Sequence, residues 1–216
     1  MKNKLAFTLA EVLVTLGIIG VVSAMTVPTL MQNYQRQSYV TQLHKTYNEI
    51  SQALLRYQTD RNAINLSEAG LSSQDAVNNF ITTYFKNVKE CDTMNNCFAS
   101  SYKAMDGGTI NNYSANVKSY VFASGVSIRP LYAKSGAKLI NMGIDINGQK
   151  GPNIGGRDLF WFYVYNNGVI DDFPIDANTV APMTSAERDT QFTTYCNSTA
   201  DGCFGKILND NWQMTY

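Results

Sequence analysis

The stretch that decides the fold is Phe7–Leu30, FTLAEVLVTLGIIGVVSAMTVPTL, 24 residues that carry one charge, Glu11. Lys2 and Lys4 precede it, and the next charge after Glu11 is Arg36. A helix rises about 1.5 Å per residue and needs roughly 20 apolar residues to cross a bilayer, so this run is long enough to span one. Two lysines ahead of it, with no acid beside them, place its N-terminus on the cytoplasmic side. Everything after Leu30 then lies outside the cytoplasm.

Glu11 is out of place in such a run. A carboxylate in hydrocarbon costs on the order of 2.5–3.5 kcal/mol even on mild insertion scales, and such groups usually have a partner. The order KLA-FTLAE suggests where the partner comes from. A cut between Ala6 and Phe7 would create an α-amino group four residues before Glu11, on the same subunit or on a neighbour.

Phe7, Thr8, Leu9 and Glu11, followed by Gly17, Gly20 and Pro28 in the apolar run, resemble the N-terminus of type IV pilins and type II secretion pseudopilins. The resemblance is confined to residues 1–30. It implies that a prepilin peptidase removes Met1–Ala6 and methylates the Phe7 amine, and that Glu11 guides subunit docking. It also implies other pilin or pseudopilin subunits, an inner-membrane assembly platform and membrane lipid as partners. The residue before the cut is usually Gly in that family, and here it is Ala6. Two plainer readings compete. A secretory signal cut near Val22-Ser23-Ala24 fits the basic start and apolar core, but tolerates Glu11 poorly. A simple anchor carrying a binding or adhesion domain that never polymerises explains the apolar run but not Glu11.

The organisation expected is a leader over 1–6, a membrane and assembly half-helix over 7–30, an amphipathic half-helix over 31–58 and an extracytoplasmic head over 59–216. Pro28 removes a hydrogen bond to the Ala24 carbonyl, which predicts a kink near Met25. Gly17 and Gly20 weaken the helix locally, and the Gly20/Ala24 spacing lets other helices approach closely. Beyond the membrane, Val40, Leu43, Tyr47, Ile50, Leu54 and Tyr57 form one apolar stripe at helical spacing. Helix from Phe7 to Tyr57 would be roughly 75 Å long. His44 falls beside the stripe and reads as a rim residue.

After a linking loop over 59–71, Ser72 and Asp75 suggest a capped helix running from Ser73 to Val88. Strands are expected at 120–123, 126–132, 138–146, 158–165 and 169–173, with Pro130 pushing the second towards a sheet edge. Asn166-Asn167-Gly168 marks a hairpin. The fold class is therefore α+β: a long pilin-like helical spine packed on an antiparallel sheet of three to five strands. A second short helix and a further one starting near Ala186 complete it.

The chain has 216 residues, 44% of them apolar, enough for one packed head domain. Net charge is zero and no basic block occurs, which argues against nucleic-acid binding through a broad basic face. Four cysteines in an exported chain imply two disulfides. Of the three connectivities, the local one is expected, Cys91–Cys97 and Cys196–Cys203. The segment Asp145–Asp158, DINGQKGPNIGGRD, offers Asp145, Asn147 and Asp158 as oxygen ligands for calcium, and some pseudopilins hold calcium in a loop of the same general region. The alternative is a structured connection built on an Asn-Gly turn. Asp171, Asp172 and Asp176 read as a solvated strand end. With one histidine and no Gly-x-Ser-x-Gly elbow, phosphate loop or His-Glu-x-x-His, the sequence does not suggest an enzyme.

Overall fold

A computed structural model describes residues 8–111 and 113–216. The chain divides between Ser38 and Tyr39 into two compact units. Helix α1, Leu9–Asp60, contributes to both. In the first unit it runs uninterrupted through Pro28.

The second unit is an α+β domain. Its strands are β1 (Asn87–Cys91), β2 (Ser119–Phe122), β3 (Ser127–Ser135), β4 (Lys138–Asp145), β5 (Leu159–Tyr165) and β6 (Ile170–Asp171). They form one antiparallel meander in the order β1-β2-β3-β4-β5-β6. The sheet has six strands rather than three to five, because Asn87–Cys91 is a strand. The expected helix stops sooner: α2 is Gln74–Tyr84, and Val88 lies exposed in β1. Its cap is Ser73, whose hydroxyl accepts from the Ala76 N–H, rather than the Ser72/Asp75 pair.

Within this unit the stripe on α1 is buried as its spacing requires. Leu43, Ile50 and Leu54 are fully covered, and Val40 and Tyr57 nearly so. Burying side chains of this size contributes about 1.5–3 kcal/mol each. Tyr47 meets Phe162 of β5 edge-on at 6.2 Å, and Phe204 and Trp212 join the same cluster. Trp212 also stacks on His44 at 3.9 Å, so His44 is a rim residue held by an aromatic.

Pro130 sits in an interior strand, yet one side of it is free. β2 pairs with β3 only at Ser127 and Ile128. Beyond them the Gln74 side chain takes the place of a strand. It donates to the Pro130 carbonyl at 2.9 Å and accepts from the Tyr132 N–H at 2.8 Å. The missing N–H of proline therefore falls where no strand needs it.

Every residue of β5 is buried, so the sheet is covered on both faces. The hairpin into β6 closes as expected: Tyr165 N–H donates to the Val169 carbonyl at 2.9 Å, with Gly168 at φ 83°. Helix α3 (Ser185–Gln191) starts on a Thr184/Glu187 capping box. A π-helical turn (Phe192–Cys196), α4 (Asn197–Thr199) and α5 (Cys203–Asn209) follow. Both disulfides are local, Cys91–Cys97 and Cys196–Cys203.

Candidate functional site

The first turn of α1 is organised by Glu11. The Thr8 N–H and the Thr8 hydroxyl both donate to Glu11 Oε2 at 2.8 Å. The Glu11 N–H returns a bond to the Thr8 hydroxyl at 3.2 Å. This reciprocal arrangement is a capping box, which satisfies two of the N–H groups a helix start leaves open. The signal was the Thr-x-x-Glu spacing, which the charge of Glu11 overshadowed. Ala6 and Phe7, the residues of the expected cut, lie outside the described residues.

From Leu9 onward the helix presents apolar side chains to the outside, between 41% exposure at Val12 and 78% at Leu9. A side chain added at Gly17 or Gly20 would meet nothing within 4 Å. Among the described residues, α1 is the one helix long and apolar enough to cross a membrane.

The Asp145–Asp158 segment is a hydrogen-bonded connection between β4 and β5. Asp145 is fully buried; its Oδ2 accepts the Tyr102 hydroxyl and its Oδ1 the Asn147 N–H at 3.1 Å. With its amide nitrogen turned towards them, Asn147 also reaches Asp145 Oδ1 at 2.9 Å and the Lys150 carbonyl at 2.7 Å. Asp158 accepts the Asn153 and Ile154 N–H groups, both at 2.7 Å. All four carboxylate oxygens thus already hold the loop together. Burial pushes Asp145 up to about 7 and raises Asp158 as well. Such a set disfavours the charged form a cation needs, and among the described residues no group of three or more His, Cys, Asp or Glu side chains converges. Asp145, Asn147 and Asp158 fit a structural loop better than a calcium site.

Asp171 and Asp172 are fully buried, which corrects the expected solvated strand end for these two; Asp176 is exposed as expected. Arg188 of α3 donates to Asp171 through Nε at 2.8 Å and Nη2 at 2.7 Å, and the Met183 N–H adds a third bond at 2.8 Å. Asp172 accepts the N–H groups of Phe173 at 2.6 Å and Gly202 at 2.9 Å, and that of Gly205. The two acids pin the C-terminal helices to β6. Apart from Phe173, their partners lie 12 to 33 residues downstream, and nothing in the local sequence announces them.

Burial pushes Asp172 up to about 7, although three backbone N–H groups pull the other way. An unfolded aspartate titrates near 3.9. Between these values the folded chain holds a proton that the unfolded chain has released, so stability falls as pH rises through that window. We expect the second unit to melt at a higher temperature at pH 5 than at pH 8, and Asp172→Asn to reduce the slope. Equal slopes for variant and wild type in thermal melts across this range would contradict the assignment.

Residues 1–27 match the family model of the prokaryotic N-terminal methylation motif, the signature of type IV pilins and pseudopilins. No curated protein and no solved structure matches the chain. The motif ends within α1, and the whole of the second unit lies outside it. Motif and apolar N-terminal helix together support a subunit of the pilin-like class and fit a single-pass inner-membrane protein. In general the motif implies pilin subunits and a prepilin peptidase as partners.

Proposed function

We propose that this chain is a structural subunit of a type IV pilus or a type II secretion pseudopilus. It waits in the inner membrane with residues 7–30 in lipid and the head, residues 59–216, outside the cytoplasm. A prepilin peptidase hydrolyses the Ala6–Phe7 bond, releases Met1–Ala6 and methylates the new amine. An assembly platform then draws the subunit from the membrane, and α1 packs against the same helix of its neighbours.

The observation that carries this reading is one acid in the first turn of an exposed apolar helix, inside a matched methylation motif. The new amine and the Glu11 carboxylate neutralise each other in a medium where an isolated charge is expensive. Leaving the membrane and entering the filament keeps the apolar surface covered, first by lipid and then by sister helices.

Processing depends on a small residue before the cut. Ala6→Asp or Ala6→Arg should leave the leader attached, so that the longer precursor accumulates in membranes and the processed band is lost on electrophoresis. Processing at the wild-type rate in both variants would count against the reading.

A further inference from the structure

On the sheet face turned away from α1, Arg129 of β3 is only 1% exposed. Among the described residues, its Nε and Nη1 have no hydrogen-bond partner, and Nη2 reaches only Asn141 Oδ1, at 3.5 Å. The cross-strand row is Arg129, Gly143, Trp161. A Cβ at Gly143 would lie 2.6 Å from the Trp161 ring, so it is the glycine that lets Trp161 lie across β4 towards Arg129. The guanidinium sits 5.0 Å from the ring centre, and Tyr113 leans on the same ring at 5.6 Å. The Trp161 N–H is already used, donating to the Thr199 carbonyl at 3.1 Å.

Among the described residues, no carboxylate forms an ion pair with this group. Asp201 attracts Arg129, but its carboxylate accepts the hydroxyls of Tyr163 and Thr199. Lys138, half-buried over the Tyr163 ring, draws on the same acid. Two cations share one carboxylate between aromatic walls. Burial brings Arg129 down only to about 10, so it stays charged at neutral pH. A buried charge with two unmet donors is among the costliest things a core can hold, unless something supplies acceptors and opposite charge.

We propose that Arg129 is the anchor of a binding site for a small oxyanion, with Trp161 and Tyr113 as its walls. The class is set by the donors. Planar guanidinium N–H groups match carboxylate, phosphate or sulfate oxygens, and a ligand of this charge cancels the excess. Aromatic walls shield the pair from water and so strengthen it. The inference concerns the head alone and does not rest on filament assembly.

The test uses the full chain in detergent, prepared in chloride buffer. Sodium acetate, sodium sulfate and sodium phosphate are added separately at constant ionic strength. Thermal unfolding should shift upward and saturate with at least one of them. Acetate alone points to a carboxylate ligand, phosphate or sulfate alone to a tetrahedral oxyanion. Arg129→Met keeps the volume and removes the charge, and its melting temperature should not respond. An equal rise in that variant, or no rise in the wild type with any of the three salts, overturns the proposal. Calorimetry on the wild type is the second readout, needed if the variant does not fold. Saturable one-to-one heat supports the site, and no heat with all three anions overturns it.

Discussion

Glu11→Ala should stay in the inner membrane, lose its leader normally and be absent from filaments. The apolar run that holds the chain in lipid is unchanged, and removing a charge from it makes insertion more favourable by about 2.5–3.5 kcal/mol. What disappears is the partner of the new amine, which must then enter a packed apolar environment unpaired. The capping box complicates this reading, because alanine also removes the bonds between Thr8 and Glu11, worth about 0.5–2 kcal/mol to the helix start. Glu11→Gln separates the two effects. A glutamine at this position still accepts from Thr8 but carries no charge. Filaments should exclude it almost as strictly as alanine. Full incorporation of the glutamine variant, measured by the ratio of sheared filament to membrane subunit, would assign the role of Glu11 to capping.

Gly202→Val should unfold the C-terminal third of the head, at a cost of more than about 3 kcal/mol. Gly202 has φ 81°, in the left-handed region where a β-branched residue is strained. A Cβ there would overlap the Gln191 carbonyl and lie 2.7 Å from the Phe192 nitrogen, backbone atoms where α3 passes into the π-helical turn. Shifting that backbone breaks the Gly202 bond to Asp172 and loosens the Gly205 bond beside it. Three buried N–H groups then compete for a displaced carboxylate. Gly17→Ala, which meets nothing within 4 Å, should leave head stability unchanged. Thermal unfolding and protease resistance of the two variants check the contrast. A Gly202→Val head as protease-resistant as wild type would show that the turn adapts freely.

Features governed by local spacing could be read from the chain. The stripe from Val40 to Tyr57, the Asn166-Asn167-Gly168 hairpin and the two close cysteine pairs each depend on residues within a few turns of one another. Glu11 could be singled out because its charge contradicts its surroundings. Features governed by distant contacts could not. Asp171 and Asp172 look solvated until Arg188, Gly202 and Gly205 arrive from the far end of the chain. Pro130 argues for an edge strand until Gln74, 56 residues earlier, supplies the missing edge with its side chain. Val88 continues the apolar pattern of α2 but belongs to β1, since periodicity alone does not mark where a short helix gives way to a strand. Arg129 gave no sign at all. A charged residue in a strand is ordinarily solvent-facing, whereas here the Trp161 ring lies against the guanidinium and Tyr113 against that ring.

The central claim is that a peptide bond is cut so that an amine and the Glu11 carboxylate can meet in lipid. Intact-mass and N-terminal peptide mass spectrometry of assembled subunits tests it most directly. The account predicts a chain beginning at Phe7 with one methyl group on its α-nitrogen and no trace of Met1–Ala6. Filament subunits that keep Met1, or that begin after Ala24, would contradict it.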